Sequence, residues 1–185
     1  MKYENKFLIS LLFFLFVNSN CRADKFLERQ IVRLGDVMMV ATPTLALGKT
    51  IYEDDNAGIP YYLLNFAIVN FGTAGLQVLI PEKRPNGGST KSFPSGHASA
   101  AFSGATYVHF RYSLHEARWL YAMAAFVAFS RVYGDRHHFH DVLASAGLSF
   151  LSSYFLVRNK NSNKSYSLSY NPENKGLSFN FLYRF

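Results

Sequence analysis

Cysteine is nearly absent from this chain. Cys21 is its one example, and it sits inside an N-terminal stretch read below as a leader. A mature chain without it has neither disulfides nor thiolate metal sites, so the fold must be held by packing alone. Acidic residues are also scarce. Twelve Asp and Glu face nineteen Lys and Arg, a net charge of +7 with a pI near 9.5, which favours anionic partners. The basic residues are dispersed and form no basic-aromatic nucleic-acid module, which excludes nucleic acid as the expected partner. Internal repeats and low-complexity tracts are lacking too. What the chain has in quantity is aromatic side chains, 18 Phe and 12 Tyr against one Trp, within 185 residues that suit one domain with a sizeable core.

The first residues follow the layout of an export signal. "MKYENK" is polar and basic, "FLISLLFFLFV" is continuously apolar, and "NSNCRA" is polar and ends on a small residue. A signal peptide over 1–23, cleaved after Ala23, is the expected reading, with an uncleaved N-terminal anchor as its alternative. The apolar run is shorter than the roughly 20 residues that cross a bilayer.

Helical patterning follows over 27–51, 59–80, 96–112, 116–133 and 139–157, separated by "EDDNAG", "PEKRPNGG" and "YGD". The fold class is mainly α, a helical bundle over 24–158. Mean hydropathy is 0.00, and Asn65, Asn70, Gln77, His109 and Arg111 interrupt the apolar runs. These features favour a globular bundle that touches a membrane surface over one that spans it. Residues 159–185 read as a polar linker and a C-terminal β-hairpin, with Leu177, Phe179, Phe181, Tyr183 and Phe185 sharing one strand face.

Three stretches carry chemistry. In "KRPNGG", Arg84 offers a planar fork for phosphate or carboxylate, although such loops often only connect helices. In "FPSGHASAAF", Ser95 and Gly96 fall at a helix N-terminus, where free N–H groups attract anions. The Ser95 hydroxyl either caps that helix or binds a ligand oxygen. His97 lies in the first turn, where the dipole lowers its pKa and a bound dianion raises it again. In "SRVYGDRHHFHD", a helix already running at His137 would set His137 and Asp141 at i and i+4 on one face. Asp141 then orients one ring nitrogen and leaves the other as a nucleophile. Taken alone, this last cluster suits a Zn²⁺ or Fe site, a phosphate site or a plain loop equally. Two arginines, a Ser-Gly-His helix start and a His–Asp pair together favour a tetrahedral oxyanion over a metal.

The order Arg84-Pro85, Pro94-Ser95-Gly96-His97, Ser130-Arg131 with His137 and Asp141 resembles the type 2 phosphatidic acid phosphatase (PAP2) superfamily, which also contains class A acid phosphatases, lipid phosphate phosphatases and vanadium haloperoxidases. The likeness spans 35–157. It implies a PAP2/haloperoxidase-type helical bundle and an exported, periplasmic or membrane-associated phosphatase needing no metal or other cofactor. Its substrate would be a phosphorylated lipid or a small phosphomonoester. By the same resemblance His137 is the nucleophile, Asp141 its orienter and His97 the acid and base. Arg84, Arg131, Ser95 and Gly96 hold the phosphoryl oxygens. One position departs from the pattern: Gln77 stands where the family has lysine. It can still donate to a phosphate oxygen, but a lost charge-assisted contact costs about 1.5–3 kcal/mol. A non-catalytic phosphate- or lipid-binding protein is therefore the alternative reading, and a vanadate-dependent haloperoxidase a remoter one. His138 and His140 match no family position. The sequence gives no oligomeric state.

Overall fold

A computed structural model describes residues 25–160 and the backbone of two further strands. Five helices form the body: α1 (Lys25–Tyr52), α2 (Gly58–Leu79), α3 (Gly96–Arg111), α4 (Leu114–Tyr133) and α5 (Phe139–Leu156). They match the expected spans to within two residues. The expected start of α4 at Glu116 is displaced because Ser113 caps that helix, its Oγ accepting from the Glu116 amide at 3.2 Å. Strands β1 (Lys164–Asn171) and β2 (Gly176–Tyr183) pair antiparallel, Leu168 opposite Phe179, as the alternation predicts. The signal-peptide segment 1–23 and the side chains of the hairpin lie outside the described residues.

Helix α3 is the hub, packed against each of the other four helices. Its sequence, "GHASAAFSGATYVHFR", explains why. Small residues let neighbouring backbones approach, and Ala98, Ala101, Ala105 and Gly104 are all buried. At Gly104 the approach is tightest, since a Cβ there would stand 2.9 Å from Pro43 Cα on α1. Hydroxyls fill the remaining seams. Thr73 Oγ1 meets Ser99 Oγ at 2.8 Å, and Ser145 Oγ donates to Ser95 O at 2.9 Å. Ser153 Oγ meets Thr106 Oγ1 at 2.8 Å.

Large apolar side chains point the other way. Phe71 is 79% exposed, Phe155 76% and Trp119 70%, with Val37, Val40, Leu63, Leu64 and Leu151 also exposed. Helices α1 and α2 are each long and apolar enough to cross a membrane. The polar residues that count against spanning in the sequence are satisfied inside the bundle. Asn65 donates to Ser103 O and accepts from Ser152 and Ser153, and Asn70 donates to Phe66 O one turn back. Arg111 closes the far end of α3 in a two-pronged pair with Asp55, at 2.7 and 2.6 Å, which the Tyr112 hydroxyl and the Gly58 amide complete. That pairing holds the Asp55 carboxyl below its ordinary pKa.

Because the α1–α3 crossing depends on backbone contact, Gly104→Ala is expected to cost about 1–3 kcal/mol. Thermal unfolding of the detergent-solubilised chain would show a lower midpoint, while Gly72→Ala, where a Cβ meets open space, would leave it nearly unchanged.

Candidate active site

The site forms where the N-terminus of α3, the loop before it and the turn between α4 and α5 are tied together. The Ser95 amide donates to the Asp141 carbonyl at 3.3 Å, and the Asn86 amide donates to Asp135 O at 3.2 Å. The Arg131 carbonyl accepts from both Arg136 N and His137 N, at 2.9 and 3.2 Å. Three motifs separated by tens of residues are thereby stitched into one place.

His137 is buried, and its Nδ1 lies 2.8 Å from the Ser92 carbonyl and 3.3 Å from Asp141 Oδ2. A carbonyl only accepts, so Nδ1 carries the proton and the Nε2 lone pair is free. Helix α5 starts at Phe139, as expected, so the condition of a helix already running at His137 is not met. The His–Asp contact survives because the turn, not a helical face, brings the two together. Asp141 is fully buried, and its Oδ2 also accepts from Ser92 Oγ at 2.5 Å and His138 N at 2.9 Å. Ser92 therefore grips both members of the pair, one with its carbonyl and one with its hydroxyl. Burial first, and then the Arg84 guanidinium, push the His137 pKa down to about 4, against the opposing pull of Asp141.

His97 occupies the first turn of α3, as expected, with Ser95 as the N-cap whose Oγ accepts from Ala98 N at 3.5 Å. Burial and the charges of Arg131 and Arg84 lower its pKa, while Asp36 opposes them. Both histidines thus feel Arg84, whose own Nε is buried without a hydrogen-bond partner and remains a donor for an anion. Arg131 is buried and firmly held: Nη1 binds Asp36 at 2.8 Å, Nη2 the Val32 carbonyl at 2.6 Å and Nε Ser130 Oγ at 3.1 Å. Gly35 makes this possible, because a Cβ there would collide with Ser130 Oγ and stand 2.8 Å from Arg131 Nη2. Gln77 donates through Nε2 to the Pro94 carbonyl at 2.8 Å and lies beside Gly96. It braces the loop that presents Ser95.

Two site residues escaped the sequence reading. Asp36 Oδ1 joins Arg131 to His97, at 2.8 Å from Nη1 and 3.2 Å from His97 Nε2. A signal existed, since Asp36 is the one acidic residue between Glu28 and Glu53. Ser92 acts largely through its backbone, which no residue pattern reports.

The chain matches the PAP2 superfamily over residues 6–165, most of its length, and belongs to that superfamily. A stretch of 72 residues is 38% identical to a lipid A 1-phosphatase of Porphyromonas gingivalis, covering 37% of this chain but only 16% of that protein. The fold resembles the crystal structure of Aquifex aeolicus LpxE with a TM-score of 0.51 and 20% identity, covering 74% of this chain and 96% of that one.

The two depressed histidines set a pH profile. If His137 acts as the nucleophile and His97 as the acid, the first is needed neutral, above its pKa of about 4, and the second protonated, below a value lower than 6.5. The kcat/KM profile is expected to be a bell on the acid side of neutrality. Asp36→Asn removes a group that raises the His97 pKa, so the alkaline limb should move to lower pH with the acid limb unmoved. Arg84→Gln should instead move both limbs up, because that guanidinium lowers the pKa of both histidines.

Proposed function

We propose that the chain is a phosphatase that removes a phosphate monoester group from a lipid, through a covalent phosphohistidine. The observation that carries this reading is the buried His137 whose Nδ1 proton is committed to Ser92 and Asp141, beside Arg84, Arg131 and the α3 N-terminus. The His137 Nε2 lone pair attacks phosphorus, forming the P–N bond as the ester P–O bond breaks. His97 delivers its proton to the departing alkoxide. The same imidazole then takes a proton from water, whose oxygen attacks phosphorus and releases inorganic phosphate with a free His137. Charge on the transferring group is met by guanidinium and helix N–H donors, which is positioning plus electrostatic stabilisation. The role of Asp141 is to steady the imidazolium that forms on His137.

The lipid part of the reading is supported by the exposed Phe, Leu, Val and Trp side chains around a core of Ala, Gly, Ser and Thr. Such an arrangement puts large apolar groups toward hydrocarbon and small or hydroxylic ones between helices. In this reading α1 and α2 lie in the bilayer, and the catalytic end of the bundle faces the headgroups on the exported side. The P. gingivalis relative is named for lipid A, so a phosphorylated glycolipid is the natural first substrate to test.

One observation favours the non-catalytic alternative: Gln77 brings no charge, and its amide already serves Pro94. Turnover separates the two. Phosphate release from a lipid phosphate in mixed micelles is expected to exceed that from p-nitrophenyl phosphate, with vanadate inhibiting both and EDTA lowering neither. His137→Ala should lower kcat by roughly four orders of magnitude or more, and His97→Ala by about two to four. Tight binding of the lipid with no release by the wild type would overturn the phosphatase reading.

A further inference from the structure

On the opposite oxygen of Asp141 lies a second cluster, and apart from Asp141 itself phosphate transfer uses none of its residues. Glu82, His138, His140 and Asp141 each present one ligand atom, all within 4.8 Å of one another. Glu82 comes from the loop that carries Arg84, and the other three from the start of α5 and the residue before it. Glu82 Oε1 stands 2.8 Å from His140 Nε2 and 3.3 Å from His138 Nδ1, and Asp141 Oδ1 stands 3.2 Å from His140 Nε2. Zinc bonds of about 2.0–2.2 Å to nitrogen and oxygen give a tetrahedron with edges of roughly 3.3–3.6 Å. Three of the six edges, at 2.8, 3.2 and 3.3 Å, lie near that size, and the others, within 4.8 Å, close on side-chain rotation.

Two atoms of the cluster have needs that the protein leaves unmet. Asp141 is fully buried, yet its Oδ1 accepts no hydrogen bond, and the buried His138 Nδ1 atom has at most the Asp141 backbone N–H of a capping box beside it. An anionic oxygen buried without a donor is costly, and a cation in the gap relieves it. The imidazoles of His138 and His140 stack with centroids 5.1 Å apart and planes 8° apart, turning both ring nitrogens toward Glu82. Two carboxylates balance a divalent charge, and His140, 57% exposed, leaves an entry from solvent.

We infer that Glu82, His138, His140 and Asp141 form a Zn²⁺ site, separate from the phosphate pocket, that damps the enzyme when filled. Zinc on Oδ1 draws electron density from the carboxylate whose Oδ2 holds His137, so the imidazolium loses part of its counter-charge. Only this consequence rests on the phosphatase reading; the binding itself does not. The test uses the full chain in detergent and Zn²⁺ alone, with affinity read by competition against a chromophoric chelator. One Zn²⁺ per chain is expected, with Glu82→Gln and His140→Gln each weakening it by roughly tenfold or more. Wild-type turnover of p-nitrophenyl phosphate should fall as the site fills. Both variants should keep their basal turnover and resist the same zinc concentration. Equal zinc affinity in wild type and both variants, or inhibition that persists unchanged in them, overturns the site. An inactive wild type that still binds one Zn²⁺ would count against the phosphatase reading and leave the site standing.

Discussion

The hydrogen bond from His137 Nδ1 to the Ser92 carbonyl is the constraint on which the chemistry depends. A carboxylate partner alone can share or take a proton, leaving the tautomer to circumstance. A carbonyl cannot, so the proton stays on Nδ1 and the lone pair on Nε2 whatever the state of Asp141. Burial and Arg84 then keep the ring neutral until it reacts. In the proposed mechanism the Asp141 charge would be most valuable at the moment His137 turns cationic, which is when a fixed dipole or charge stabilises a transition state rather than a ground state.

That hydrogen bond exists because the surrounding elements have no freedom to drift. Ser92 belongs to a loop pinned at Glu82, whose carbonyl accepts from Ser92 N at 3.0 Å, and Gln77 braces Pro94 two residues on. Beneath them α3 sits in a collar of four helices whose contacts are Ala, Gly, Ser and Thr. Close backbone approach replaces bulky side-chain interdigitation, and hydroxyls bridge the seams. At the opposite end the Arg111–Asp55 pair fixes α3 to the α1–α2 turn. A helix of this length spans about 24 Å, so the two polar clusters stand at opposite ends of the bundle with apolar surface between them.

Much of this was legible in the sequence, and the reasons it was legible differ. The helices show because Gly, Pro and acidic punctuation separate long apolar runs. The site shows because phosphate chemistry needs arginine, histidine and a helix N-terminus at set spacings. The start of α5 at Phe139 is the expected one, but the His137–Asp141 contact does not need a helix at His137, because a turn brings the two together as well and spacing does not distinguish them. Arg131 reads as a free anion fork, but Asp36, Val32 and Ser130 already occupy one N–H of each guanidinium nitrogen. Ser92 stayed hidden because its decisive group is main chain, which every residue possesses. Interior polar residues weighed against membrane burial in the sequence, yet each finds its partner inside the bundle, which composition cannot reveal.

Asp36 gives these charges an order in time. In the free protein its carboxylate touches both Arg131 and His97, opposing the two guanidiniums that make a proton on His97 unfavourable. In the proposed reaction, a phosphate dianion entering beside Arg84 would add negative charge near the same imidazole and raise its pKa further. His97 would therefore gain its proton as substrate arrives, when a leaving oxygen is present to receive it. In the same proposed sequence the leaving alcohol would then depart, and the neutral imidazole would be the base that water needs. The half-exposed carboxylate on α1 thus keeps Arg131 aimed and the cationic cluster partly neutralised between turnovers, without supplying enough charge to hold His97 in the acid form by itself.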